Sequence, residues 1–118
     1  MEKPEIDFNP EPAPVELAIR DIIVGDGTEV VAGDQVTIHY VGVNYETGEQ
    51  FDASWDRGEP ATFGLNQLIM GWQLGIPGMR VGGRRELICP PAVAYGTSGG
   101  HRLSGQTLTF VIDLLRVV

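Results

Sequence analysis

Cysteine and positive charge are both scarce in this sequence. Cys89 is the only cysteine, so no disulfide can form within the chain, and a reducing compartment suits it. The 8 lysines and arginines face 16 acids, and the formal net charge of -8 does not favour a nucleic-acid partner. No stretch approaches the roughly eighteen apolar residues of a membrane span, and the N-terminus has no signal-peptide pattern. We therefore expect a cytoplasmic protein with neither nucleic-acid nor membrane partners.

Residues 1–15 contain little that could order them. They hold four of the eight prolines, no glycine and almost no apolar periodicity. Such a segment buries too little apolar surface to offset the entropy that ordering costs. We predict a flexible, acidic, proline-rich arm over residues 1–15, followed by one domain over residues 16–118. The alternative is an extended segment that lies on the domain, with Ile6 and Phe8 as its anchors.

The rest of the chain alternates short segments rich in β-branched and aromatic residues with glycine-rich turns. This pattern predicts strands separated by turns. The first two strands follow each other closely, which favours an antiparallel meander. The predicted strands cover residues 17–24, 35–43, 50–54, 61–65, 84–90 and 107–118.

The second predicted strand shows which of its side chains face inward. Side chains alternate between the two faces of a strand, so Val36, Ile38 and Tyr40 share one face. Thr37 and His39 share the other. Because the first face is the more apolar, we expect Tyr40 to point into the interior.

Residues 68–79 have a different pattern. Their large apolar residues recur at near-helical spacing, but Gly71, Gly75, Pro77 and Gly78 limit any helix to about two turns. One short helix is therefore expected among the strands. The sequence predicts an α+β domain, in which an antiparallel sheet buries one face on this helix.

An ordered series of motifs runs through the domain. It consists of HYVGV, FDASWDR, LIMGW, GMRVGGRRELICPP, AYG and TLTFVIDLL, within the range from about residue 17 to the C-terminus. The series resembles the FKBP family of peptidyl-prolyl cis-trans isomerases. Several motifs in one order are far more specific than a single short pattern.

The resemblance implies a sheet of five to six antiparallel strands curled around the short helix, with a pocket between them. It implies a monomeric isomerase without metal or cofactor that aids protein folding. Its partners would be proline-containing peptides, unfolded chains and macrolide inhibitors of the FK506 and rapamycin type. The catalytic residues that it implies are Tyr40, Phe51, Asp52, Ile69, Trp72, Tyr95 and Phe110. The substrate-binding residues that it adds are Arg57, Phe63, Leu68, His101 and Leu103.

Two polar residues of this set have expected roles. A carboxylate beside an apolar pocket must be paired to stay ionised, and Arg57 and the Tyr40 hydroxyl are the available partners of Asp52. We expect Asp52 to orient groups at the pocket edge and not to donate a proton. The Tyr95 hydroxyl is expected to donate a hydrogen bond to a substrate carbonyl.

The loop after the AYG motif departs from the family pattern. Family members often carry Ile-Pro-Pro there, whereas this chain has HRLSGQ. Leu103 is the only large apolar residue left to form an upper lip over the substrate. His101 is expected to touch substrate from the same loop.

Two other functions remain open at this stage. The first is a binding module that keeps the pocket and engages proline-containing partners or macrolides without turnover. The second is a hydrolase that uses Ser54 or Ser98 with His101 and an aspartate, although no nucleophile-elbow sequence is present. Cys89 is interpreted as a small buried apolar residue.

Overall fold

The computed structural model describes residues 2–118, which form one antiparallel sheet and one short α-helix. Three short 3-10 turns cover Ser54–Arg57, Leu65–Gln67 and Pro91–Val93. Within residues 2–118, no helix has the length and apolarity that crossing a bilayer requires. The regular elements are β1 (Ala18–Ile23), β2 (Gln35–Asn44), β3 (Gln50–Ala53), β4 (Ala61–Gly64), α1 (Met70–Gly75), β5 (Arg84–Cys89) and β6 (Leu108–Val117).

The strands are hydrogen-bonded in the order β1-β5-β6-β2-β3, and β4 also pairs with β2. The meander expected for the first two strands is therefore wrong, because β1 pairs with β5 and not with β2. The connection from Ile23 to Gln35 is far longer than a tight hairpin loop of about 2–5 residues. It forms its own hydrogen bonds with the segment before β5, among them Val30 N–H to the Met79 carbonyl at 2.9 Å. These bonds carry the chain across the sheet before β2 begins.

The centre of the sheet is formed by β2 and β6. Val36 and Ile38 are fully buried and Tyr40 is 6% exposed, all in the main core cluster. His39 lies on the other face, where its ring stacks on Trp55 with 4.0 Å between centroids. The predicted inward direction of Tyr40 is confirmed.

The short helix is also confirmed, and it packs unusually close to the sheet. A Cβ on Gly71 would lie 2.5 Å from Cys89 Sγ, and a Cβ on Gly75 would lie 2.6 Å from Leu87 Cδ2. Both distances are shorter than van der Waals contact, so any larger residue at these positions would have to displace its neighbour. Cys89 is fully buried in this interface, where burial raises the pKa of its thiol to about 12.

The N-terminal arm (residues 1–15) contributes no strand in the part that the structure describes. Residues 2–11 lie across the outer face of the sheet, opposite the face that α1 covers. Ile6 packs on a small cluster formed by Val41, Val43 and Ala53. Phe8 is 58% exposed. The predicted flexibility of the arm stays a prediction.

Replacing Gly75 with alanine tests the close helix packing. Gly75→Ala places a methyl group against the fully buried Leu87, and such overpacking should lower the free energy of unfolding by about 1–3 kcal/mol. Urea denaturation measures the change. Gly99→Ala is the matched control, because an added Cβ there meets no atom within 4 Å. Equal stability of the two variants would contradict the close contact.

Candidate active site

A cavity of about 230 Å³ opens between the sheet and α1. Strands β2, β3, β4 and β6, the start of the helix and the loop after β5 each contribute to its wall. Nine of the twelve predicted site residues meet there. They are Tyr40, Phe51, Asp52, Phe63, Leu68, Ile69, Trp72, Tyr95 and Phe110.

Trp72 forms the base of the cavity. Its ring meets Tyr40 and Phe110 edge to face, with centroid distances of 5.3 and 5.1 Å. Phe63 approaches it in the same way at 6.0 Å. Edge-to-face pairs are favourable arrangements of aromatic rings, so the rings support one another. The cavity is therefore apolar and has walls of fixed shape.

Gly42 is a site residue that sequence reasoning missed. It lies two residues after Tyr40 on β2 and faces the cavity side. A Cβ at this position would lie 2.5 Å from the Phe51 ring and 3.0 Å from the Phe110 ring. Glycine thus leaves room for both rings, which meet at 5.7 Å. The signal available in the sequence is a glycine in the interior of a strand, which often marks a close approach.

Tyr40, Asp52 and Arg57 form a closed polar group at the cavity edge. The Tyr40 hydroxyl donates to Asp52 Oδ2 at 2.7 Å, and Arg57 Nη1 donates to Asp52 Oδ1 at 2.6 Å. Arg57 Nη2 also donates to the Tyr40 hydroxyl at 2.7 Å. The partners expected for Asp52 are thus in place. Arg57 binds Asp52 and Tyr40 at the cavity edge, but it does not line the cavity wall.

These contacts determine the protonation of the group. Partial burial raises the pKa of Asp52, but the hydrogen bonds from Tyr40 and Arg57 outweigh it and the pKa is lowered. Burial raises the pKa of Tyr40, and its hydrogen bond to Asp52 adds to the rise. The hydrogen bond to Asp52 raises the pKa of Arg57. At neutral pH the group therefore consists of a carboxylate, a phenol and a guanidinium.

Ser54 holds the turn that carries this group. Its side chain is fully buried, and its Oγ accepts the Tyr40 backbone N–H at 2.7 Å. The same oxygen lies 2.8 Å from His39 Nδ1. The serine thus fastens the turn after Asp52 to the strand that carries Tyr40. The hydrolase hypothesis pairs Ser54 or Ser98 with His101, but the Ser54 hydroxyl meets His39 and the Tyr40 backbone instead.

Tyr95 and His101 form the rim. Their rings stack with 4.0 Å between centroids and 8° between planes. Burial raises the pKa of Tyr95, and the Asp52 carboxylate adds to the rise. His101 Nδ1 accepts the Leu103 backbone N–H at 3.0 Å. His101 therefore packs on the Tyr95 ring and does not line the cavity.

The structure does not bring Leu103 to the cavity, so its expected place as an upper lip is corrected. Its side chain is 6% exposed and belongs to the main core cluster. The loop is closed by Gly105 N–H, which donates to the Gly96 carbonyl at 2.6 Å, and by the Ser104 hydroxyl, which donates to the Tyr95 carbonyl at 3.1 Å. Within this closed loop the leucine turns inward, because burial removes its apolar surface from water.

Replacing Leu103 with alanine distinguishes a core residue from an exposed lip. Leu103→Ala should lower the free energy of unfolding by about 2–5 kcal/mol, as truncation of a buried leucine does. Thermal and urea denaturation measure the loss. Leu74→Ala is the control, since Leu74 is 58% exposed and should lose little. Equal, small losses of stability in both variants would show that Leu103 is exposed on the loop and is not part of the core.

Comparison with known proteins shows which family the chain resembles. The family model of the FKBP-type peptidyl-prolyl cis-trans isomerase matches residues 27–115. A protein named "Probable FK506-binding protein" from Corynebacterium glutamicum is 61% identical over 116 residues, which cover 98% of each chain. An "FK506-binding protein" from Streptomyces anulatus is 53% identical over 122 residues, covering 99% of this chain and 98% of the relative.

A solved structure has the same architecture. The crystal structure of AtFKBP13 superposes with a TM-score of 0.76 at 38% identity and covers 90% of this chain and 96% of its own. The predicted fold, an antiparallel sheet of five to six strands curled around one short helix, is thereby confirmed. The chain belongs to the family of FKBP-type peptidyl-prolyl cis-trans isomerases.

Proposed function

We propose that this isomerase turns X-Pro bonds inside the aromatic cavity, and that the Tyr40–Asp52–Arg57 group orients the substrate at its edge. The observation that carries the proposal is an apolar, ring-walled cavity with one ion-paired carboxylate beside it. The substrates would be proline-containing peptides and unfolded protein chains. In such chains, cis-trans isomerisation of a prolyl bond can limit the rate of folding.

The reaction needs no nucleophile. Rotation about a peptide bond has a barrier of about 18–20 kcal/mol, because the planar amide is stabilised by resonance. The cis and trans X-Pro isomers differ by only about 0.5–1 kcal/mol. The twisted transition state has lost the resonance and its charge separation, so apolar walls stabilise it relative to the planar forms. Each 1.4 kcal/mol or so of this preference is worth about tenfold in rate.

The size of the cavity supports a single proline ring as its content. Its volume of about 230 Å³ is smaller than the roughly 300–1,000 Å³ of clefts that enclose a drug-sized ligand. A peptide would thus place the proline ring inside, over Trp72, and leave its flanking residues across the rim. There the protonated Tyr95 hydroxyl is available to donate a hydrogen bond to a substrate carbonyl.

We extend the proposal to macrolides of the FK506 and rapamycin type. The support is that both relatives are named as FK506-binding proteins, together with the apolar lining of the cavity. A macrolide would insert one ring-sized group and rest the remainder on the rim. The loop of residues 97–105 would also contact the macrolide. This loop has no proline, and its Leu103 is buried in the core, so other residues of the loop would make the contact.

Asp52→Asn tests the orienting role of the carboxylate. The change keeps shape but removes the charge that Tyr40 and Arg57 hold, so kcat/KM on X-Pro tetrapeptides should fall by about tenfold, or ~1.4 kcal/mol. A coupled isomerisation assay measures the change, and FK506 should inhibit the wild-type chain. Asp26→Asn, on an exposed loop, is the control and should keep full activity.

The alternatives predict other results in the same assay. If Asp52→Asn lost stability in proportion to its loss of activity, the role of Asp52 would be purely structural. A wild-type chain that binds FK506 but does not accelerate isomerisation would be a binding module.

The lowered pKa of Asp52 also predicts how stability depends on pH. The folded chain holds this carboxylate below its ordinary value of 3.8, so the unfolded chain takes up the proton first as pH falls. The stabilisation is complete above the unfolded value and is lost as pH falls through the folded value. The stability difference between wild type and Asp52→Asn should be equal at about pH 7 and 5.5 and smaller near pH 3. Urea denaturation at the three pH values measures it, and an unchanged difference near pH 3 would contradict the lowered pKa.

A further inference from the structure

A second cavity, of about 510 Å³, lies on the outer face of the sheet, opposite the aromatic cavity. One wall is the arm, from Pro4 to Pro10. The other is the sheet surface, to which β1, β2, β5 and β6 contribute side chains such as Ile22, Val43 and Val111. The arm thus spans the outer face without filling the space beneath it.

Two of the contacts that hold the arm use its backbone. Arg84 Nη2 donates to the Glu2 carbonyl at 3.1 Å, and the Tyr45 hydroxyl donates to the Glu11 carbonyl at 2.9 Å. Contacts to carbonyl oxygens do not depend on side-chain identity. Any extended segment of similar length could therefore make both of them.

Between these ends, one apolar side chain anchors the arm. Ile6 packs on Val41, Val43 and Ala53, which are only 2%, 5% and 3% exposed. Among the residues that the structure describes, Ile6 and Trp55 are the partly buried apolar side chains that pack on this cluster. If the arm left, an apolar strip on the outer face would meet water, as at protein interaction sites.

The remaining arm contacts are weak. Lys3 Nζ pairs with Asp56 at 2.8 Å, but both side chains are more than a third exposed, so the pair contributes little. Phe8 is largely exposed, and the described arm residues form no strand pairing with the sheet. The arm is therefore an occupant of this face that a similar segment could replace.

We propose that the outer face of the sheet is a second binding surface for an extended, acidic, proline-containing segment of a client polypeptide, and that the arm occupies it in cis. The chemistry of the client is inferred from the arm, which carries acids and prolines around one β-branched anchor, Ile6. The cavity wall also includes Arg20 and Arg84, which are paired with sheet carboxylates, Arg20 with Glu86 at 3.2 Å and Arg84 with Asp113 at 2.7 Å. The role of the client as a substrate rests on the proposed function.

A second surface gives long clients an advantage that short peptides lack. A chain bound on the outer face keeps its other prolines near the aromatic cavity at high effective concentration. A tetrapeptide is too short to reach both faces. We therefore expect the outer face to affect turnover of long substrates and not of short peptides.

The first test uses the arm itself as the probe. A fluorescein-labelled peptide with the sequence of residues 2–12 is titrated into the full-length wild type and into Ile6→Asp, followed by fluorescence anisotropy. The peptide should bind Ile6→Asp at least about tenfold more tightly, because the wild-type arm competes at high effective concentration. Ile6→Gly should behave alike. The same peptide carrying the Ile6→Asp change is the matched control and should bind neither chain.

The opposite results overturn the proposal. Equal binding of the probe to wild type and both variants, or no binding to any, would show that the outer face does not take such a segment. Probe binding that inhibits tetrapeptide isomerisation would place the peptide in the aromatic cavity. A concentration-dependent dimer of the wild-type chain in sedimentation would show that the arm of a second copy is the occupant.

The second test concerns clients. In proline-limited refolding of a reduced, unfolded protein, Ile6→Asp should have a KM at least about threefold lower than wild type, because its outer face is open. On tetrapeptides the two chains should have equal kcat/KM. Equal KM on the protein client would overturn the proposal. Absence of turnover on tetrapeptides by either chain would instead refute the proposed function, while the probe titration still decides the outer face.

Discussion

The pairing of β2 with β6 is the interaction on which the rest of the structure depends. Both strands have ten residues; β3 and β4 pair with β2, β5 pairs with β6, and β1 is attached through β5. Their register sets Tyr40 opposite Ile112 and Gly42 opposite Phe110. Because a shift of one residue would turn every side chain to the other face, this register decides at once which side chains build the cavity and which face outward.

The cavity combines two requirements that oppose each other. In the proposed mechanism apolar walls favour the twisted amide, but an unpaired carboxylate beside such walls would be costly. The fold resolves the conflict with two donors, since the Tyr40 hydroxyl and Arg57 hold Asp52 ionised at the edge. Ser54 fixes the geometry of this group from the buried side of the turn. The charged groups thus lie at the edge of the cavity, and its interior stays apolar.

The two faces of β2 also divide the molecule structurally. Tyr40 and Gly42 face the helix and the cavity, whereas Val41 and Val43 face the arm. The helix covers the inner face with close glycine contacts that any larger residue would disturb. The arm covers the outer face through carbonyl contacts and one isoleucine. One side is thus a tightly packed core, and the other is a cover whose contacts could be exchanged.

Local features of the sequence determined the strands, the short helix and the inward direction of Tyr40. Strand alternation and the glycine and proline limits on the helix act over a few residues, so they can be read without the fold. The ordered motifs added the family and nominated twelve site residues, nine of which line the cavity. Only the tertiary structure decided that β1 pairs with β5, with Ala18 opposite Ile88, and that Leu103 points into the core. The stacking of His101 on Tyr95 and the path of the arm were decided there as well. Each of these depends on contacts between segments far apart in the chain, and local periodicity carries no information about which distant surface a side chain will meet.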